Sequence, residues 1–205
     1  MKKFLKLVGY ALLIFAGYYY WFNHINYRFA PVAEGKVYKS ALINPDHIES
    51  FLVDNKIKTV INLLDPGVQS ALNPATQQEI NAESEAINSV NKKNNLNINH
   101  VNIPSGQVPT KKTLTKFFEI LDDKTNYPVL IHCYHGTGRA EIYSAIYNIE
   151  YEKLSNQEAR RKTRFIVEGF GYKSSFSNGK KKGDFLINYK PRSVSKNSTI
   201  NSLEK

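Results

Sequence analysis

Ile131-His132-Cys133-Tyr134-His135-Gly136-Thr137-Gly138-Arg139-Ala140 reads as the end of a strand, a tight turn and the start of a helix, and it decides the fold. Before it, Tyr127 to His132 forms a short apolar run with Val129, Leu130 and Ile131, the pattern of a strand buried on both faces. After it, Arg139 to about Lys153 sets Ile142, Ala145, Ile146 and Ile149 at helical spacing. The chain's one cysteine therefore lies at the C-terminal end of a buried strand, the edge at which open α/β sheets bind ligands. Gly136 and Gly138 permit positive φ and close approach of backbone to a ligand. The amides of Tyr134 to Arg139 then converge into an anion-binding nest at a helix N-terminus. That field favours a thiolate at Cys133, and Arg139 has the planar fork that grips two oxygens of a phosphate. His132, beside the cysteine, is in reach of backbone near the loop. A tetrahedral oxyanion held over a sulfur nucleophile is a site for covalent phosphoryl transfer.

Outward from this stretch, strands and helices alternate. Gly35 to Leu42 and Ile57 to Leu64 read as strands, the second with a β-branched centre,. Asn44-Pro45-Asp46 opens a helix to about Asn55, with Asn44 as cap and Pro45 in the first turn,. Asp65-Pro66-Gly67 is a turn. Pro74 to about Lys93 is a long polar helix, Leu96 to Ile103 a strand, and Thr110 to Asp123 a helix with Leu114, Phe117, Phe118 and Leu121 on one face,. Ser155 caps a helix to about Val167, and Asp184 to Tyr189 is a final strand or turn. The alternation predicts an α/β fold with a central, mainly parallel sheet flanked by helices.

The motif His132-Cys133-x-x-Gly136-x-x-Arg139 resembles the signature of the cysteine-dependent tyrosine and dual-specificity phosphatase superfamily. Val37-Tyr38-Lys39-Ser40-Ala41, Lys58-Thr59-Val60-Ile61-Asn62-Leu63 and Leu154-Ser155-Asn156-Gln157-Glu158-Ala159 resemble segments of its small bacterial members. The likeness spans roughly Val37 to Val167 and implies a dual-specificity-phosphatase-like sheet. It implies Cys133 as nucleophile, Arg139 as phosphate clamp, His132 as supporting histidine, and Tyr134, His135, Gly136, Thr137 and Gly138 as the phosphate cradle. No cofactor and no metal are implied; the partner is a phosphorylated protein, or a phosphorylated lipid or polyanionic headgroup.

Two departures stand out. The family usually has a hydroxyl residue directly after the arginine, where this chain has Ala140. It also usually supplies an aspartic general acid about 30 residues before the cysteine, yet Asn102 to Pro109 holds no carboxylate. A proton donor to the leaving oxygen is worth ~10²–10⁴ in rate. Asp65, ending an earlier strand at the same sheet edge, is the candidate substitute. His135 is a second donor candidate, or else added positive charge for a multiply phosphorylated ligand. Glu141 lies in a first helical turn, where it complements the helix dipole. The departures leave a pseudophosphatase or phosphate-binding module as the alternative. Rhodanese-like sulfur transfer uses a loop usually one residue shorter. Neither nucleotide-binding glycine fingerprint is present,.

The chain has 205 residues, 28 basic against 18 acidic, and a net charge of +10. That length suffices for a core without staples, and a lone cysteine excludes an intrachain disulfide framework. Residues 151–205 carry 13 of the 28 basic residues and 5 of the 18 acidic ones, so this part favours an anionic partner. No base-stacking motif accompanies it, which argues against nucleic acid. Lys2, Lys3 and Lys6 precede an uncharged run of 16 residues, Leu7 to Phe22, ending in Tyr18, Tyr19, Tyr20 and Trp21. At ~24 Å against a ~30 Å hydrocarbon core, with an aromatic belt, this reads as a transmembrane helix. A cleaved signal peptide competes, but bulky aromatics stand where small residues are needed. Basic residues on the N-terminal side place the N-terminus in the cytoplasm. The expectation is a single-pass inner-membrane protein with its catalytic domain on the periplasmic side. Residues 1–26 would be the anchor, 27–192 the phosphatase-like domain and 193–205 a flexible tail.

Overall fold

The computed structural model describes residues 2–67 and 76–192 of the chain; the expected tail, 193–205, lies outside them. Its strands are β1 (Ala30–Ala33), β2 (Val37–Ser40), β3 (Thr59–Asn62), β4 (Asn99–Asn102) and β5 (Val129–His132). The helices are α1 (Lys2–Tyr20), α2 (Ile48–Asp54), α3 (Gln77–Asn94), α4 (Lys111–Asp122), α5 (Arg139–Glu150), α6 (Asn156–Lys162), α7 (Phe165–Gly169) and α8 (Lys181–Ile187). They form a five-stranded sheet of order β1-β2-β5-β3-β4. Only β1 runs antiparallel to its neighbour, so the α/β reading of a mainly parallel sheet holds. The strand carrying the cysteine is central, flanked by β2 and β3.

The helices start where local chemistry stops the chain from remaining extended. The side chain of Asn44 accepts from Asp46 N at 3.0 Å, with Pro45 in a 3₁₀ turn ahead of α2. Thr76 and Glu79 close a capping box on α3, Thr110 caps α4, and Ser155 and Glu158 box the start of α6,. Tyr38, Val60 and Leu130 pack with Ile48 and Leu52 of α2 and Ile87 and Val90 of α3. Alternate strand residues, Ile61, Val129 and Ile131, are fully buried on the opposite face,. In α4, Phe117 meets Tyr143 of α5 edge-on at 4.9 Å.

Contacts gather the chain into two units, Met1–Ser144 and Ala145–Lys205. In the second, the single helix expected after Ser155 breaks at Arg164, whose φ of −148° is not helical, into α6 and α7. Residues 184–189, expected as a strand or turn, belong instead to α8 and its exit. Strand β1 is held by antiparallel pairing with β2 across the short turn that joins them.

The N-terminal expectation is corrected. Among the described residues no helix is long and apolar enough to cross a membrane. α1 is helical over 19 residues, but its three lysines, Gly9, Gly17 and four tyrosines lower its mean hydropathy, and the uncharged run is short of a ~30 Å core. This overturns the transmembrane helix, the membrane as partner through that anchor, and the inner-membrane, periplasmic-side placement drawn from them.

Candidate active site

The parallel strands end in register. Ser40, His132, Asn62 and Asn102 lie side by side across β2, β5, β3 and β4. Cys133 is the first residue beyond that row on the central strand, and it is 3% exposed. Its sulfur lies 3.5 Å from the Ala140 amide, the second residue of α5. Arg139, 2% exposed, donates from Nη1 to the carbonyls of Leu63 at 2.7 Å and Ser105 at 3.4 Å. Burial lowers its pKa, while the Cys133 sulfur and the Asp65 carboxylate oppose that fall. The guanidinium is thus tied to the exits of β3 and β4 and set beside the sulfur.

The loop between Cys133 and Arg139 is pressed against β2. Gly136 has φ +68°, and a Cβ there would stand 2.6 Å from Ala41 N and 2.9 Å from Ser40 O. No side chain fits, so glycine is required at this point by both torsion and space. Leu42 N donates to Tyr134 O at 3.2 Å, and the Tyr134 ring packs against Leu64 and Ile80. Arg28 donates from Nη1 to the His135 carbonyl. Burial, then the charges of Arg28 and Arg139, push the His135 pKa below its ordinary value.

A family profile described as DSP-PTPase phosphatase fused to NAD+ kinase matches residues 45–177, more than half of the chain. The chain belongs to this family. It is a cysteine-dependent phosphatase of the tyrosine and dual-specificity type. Two crystal structures share the fold. The core catalytic domain of the PP-IP phosphatase SIW14 from S. cerevisiae is 20% identical, with a TM-score of 0.54 over 79% of this chain and 85% of that one. A DUF442 protein from Shewanella putrefaciens CN-32 is also 20% identical, with a TM-score of 0.52 over 78% and 87%. No curated protein matches the chain.

Within the phosphatase, most residues singled out by sequence come together. His132, Cys133, Tyr134, His135, Gly136, Thr137, Gly138 and Arg139 form one continuous turn at the sheet edge. Asp65 follows β3 at the same edge; its Oδ1 accepts from Gly67 N at 3.1 Å, as its turn-forming role requires. Burial, then Arg28 and Arg139, disfavour the charged form of His135, and Arg28 brings a second positive charge to its carbonyl. Glu141 pairs with Lys39 of β2 rather than serving the helix dipole alone. In the carboxylate-free loop, Ser105 shares a 2.9 Å hydrogen bond with the Tyr143 hydroxyl. Burial raises the Tyr143 pKa, against bonds from Ser105 and Thr113. Among the described residues no cluster of His, Cys, Asp or Glu is arranged to hold a metal ion.

Sequence reasoning missed Glu83. It lies in α3, which reads as a polar helix, yet it is 1% exposed. Its Oε2 accepts from Asn62 Nδ2 at 2.6 Å and lies 2.9 Å from His100 Nε2; its Oε1 is 3.1 Å from His132 Nε2. Asn62 in turn accepts from Leu64 N at 2.8 Å, and Asn102 Nδ2 donates to Leu64 O at 3.0 Å. Burial raises the Glu83 pKa, but the charge His132 carries when protonated and the bond to His100 outweigh it and hold the group at about 2. The available signal was spacing: Ile80, Glu83, Ile87 and Val90 share one helical stripe,.

Proposed function

We propose that this phosphatase, through a domain spanning residues 27–192, hydrolyses phosphomonoesters by way of a cysteinyl-phosphate on Cys133. The thiolate attacks phosphorus in line, forming an S–P bond as the P–O bond to the leaving group breaks. The leaving oxygen takes its proton from Asp65. Water then attacks phosphorus while giving a proton back to Asp65, the S–P bond breaks, and orthophosphate departs with the thiolate restored. The observation that carries this reading is the convergence of the Ala140 amide and the Arg139 guanidinium on the only sulfur nucleophile of the chain. The amides of Tyr134 to Gly138 complete the cradle, and Arg139 binds phosphoryl oxygens that strengthen as charge develops. Ala140 offers the leaving thiolate a backbone N–H but no hydroxyl, so the second step is the slower one.

Substrates are phosphorylated proteins, or phosphorylated lipids and other polyanionic headgroups. Arg28 favours those with a second anionic group beside the scissile phosphate. It sits on the cradle at His135, and it holds that place through φ values of +50° at Tyr27 and +53° at Arg28. Left-handed backbone at non-glycine residues is a cost that persists where the surroundings impose it.

Cys133→Ser is expected to abolish release of phosphate from a small aryl phosphate while orthovanadate still binds. In the wild type, rapid quenching with a ³²P-labelled substrate should trap label on Cys133. Turnover by the serine variant at more than about one-hundredth of the wild-type rate would exclude the covalent route. Binding without turnover in the wild type would make the chain a phosphate-binding module.

A further inference from the structure

His132 is 1% exposed, and neither ring nitrogen has a fully formed hydrogen bond among the described residues. A buried imidazole in that condition is costly unless its neighbours use it. A carboxylate stands beside it: Glu83 Oε1 is 3.1 Å from Nε2, close in distance but off the line of a well-directed bond. Catalytic bonds often lie loose in the empty site and tighten on the bound substrate. The other oxygen of Glu83 is already taken by Asn62 Nδ2 at 2.6 Å and His100 Nε2 at 2.9 Å. Three adjacent strands therefore each send one nitrogen to the same carboxylate: Asn62 from β3, His100 from β4 and His132 from β5.

We infer that Glu83 is a positioning residue for the phosphatase reaction, holding the His132 ring with its proton on Nε2 and so fixing the residue that bears Cys133. An ionised carboxylate only accepts, so Nε2 of each histidine must carry hydrogen to meet it. His132 is the last residue of β5, and its carbonyl is bound by Leu63 N at 3.0 Å. With the backbone pinned on one side and the ring on the other, the Cα of His132 has little freedom, and neither has the sulfur attached one residue on. This rests on Cys133 as nucleophile. The displacement at stake is small, but ~1 Å at a reacting atom costs about 10²-fold.

Glu83→Gln tests it with a specific signature. Asn62 and His100 both donate to the Oε2 position, so the amide oxygen of Gln stays there and its NH₂ turns toward His132. Two donors then face each other, and His132 moves its proton to Nδ1 while His100 keeps its own on Nε2. The chain has five histidines, few enough to assign by ¹⁵N-histidine NMR of the whole protein. The wild type is expected to show His132 protonated on Nε2 and Glu83→Gln to show it on Nδ1. In that variant kcat for an aryl phosphate should fall between about 10-fold and about 10²-fold, with KM within about threefold. His100→Asn removes a different partner of the same carboxylate: its thermal stability should fall, with the His132 tautomer retained and kcat within about threefold. Equal losses of kcat in both variants, or an unchanged His132 tautomer in Glu83→Gln, would reduce Glu83 to packing. Should Glu83→Gln not fold, a bare Nε2 on His132 in the wild type overturns the inference by itself. Residual turnover by Cys133→Ser would instead strike the covalent route, a separate failure.

Discussion

Glu83 and Glu150 are both buried carboxylates, one in each unit, and they are satisfied by different chemistry. Glu150 accepts from the Tyr189 hydroxyl at 2.6 Å, the Arg192 amide at 2.9 Å and the Arg192 Nε at 3.3 Å. None of these donors changes its proton inventory near neutral pH: burial and then Glu150 itself push the Tyr189 phenol pKa up. This cluster ties the segment after α8 to the end of α5, and nothing more is asked of it. Glu83 instead faces two imidazoles and an amide from three strands, and at His132, the last residue of β5, tautomer and orientation matter to the next residue. A buried carboxylate is thus a fastening in one region and an alignment device in the other, and the partners tell which.

The harshest break of that contrast is a methyl group. Gly136 and Gly179 both have positive φ, +68° and +76°, one in each unit. A Cβ at 136 would strike the backbone of Ser40 and Ala41, whereas at 179 nothing lies within 4 Å. Gly136→Ala must push the cradle off β2, and we expect kcat/KM to fall by about 10²-fold or more. Gly179→Ala carries only the torsional strain, about 1 kcal/mol, with kcat/KM unchanged. Equal activity of the two variants in a steady-state assay would mean that the cradle tolerates displacement.

The same division marks what was legible in the sequence. Cys133 to Arg139 was readable because the proposed cradle, nucleophile and clamp are neighbours along the chain, set by one turn. The parallel sheet followed from β-branched runs such as Thr59-Val60-Ile61 between helical stretches. Glu83 was hidden because its burial depends on which stripe of α3 meets the sheet, a non-local fact, and its asparagine-rich helix masks the stripe of Ile80, Ile87 and Val90. Arg28 was hidden for a similar reason, reaching the His135 carbonyl across 107 positions of sequence. The N-terminal segment misled in the opposite sense. Tyrosines and glycines weigh little in a run counted only for charges, yet they lower its hydropathy below what a spanning helix needs.

Acid sharpens the comparison at the middle of the range. The folded-state pKa of Glu83, about 2, lies below its ordinary value of 4.5. A depressed carboxylate contributes stability that is present above the unfolded value and lost as pH falls through the folded one. The window is therefore about pH 4.5 down to about 2, and the contribution is on the order of 3 kcal/mol. Urea unfolding at pH 6 and pH 3 should show wild type losing more stability than Glu83→Gln, which has no proton to take up there. Parallel acid limbs for the two proteins would mean that the carboxylate is not ionised in the fold.

The smallest effect belongs to Tyr189→Phe. It removes one donor from Glu150 and leaves the two from Arg192, so the carboxylate is under-satisfied but not stranded. The expected cost is about 1–2 kcal/mol, read as a fall of a few degrees in Tm for a chain of this size. The Tyr189 backbone also accepts from Asn156 Nδ2 at 2.6 Å, a bond that the substitution leaves intact and that limits the damage. Activity on an aryl phosphate should be that of the wild type. A drop in kcat without a drop in Tm would show that Glu150, like Glu83, serves the reaction, and the distinction drawn from their partners would fail.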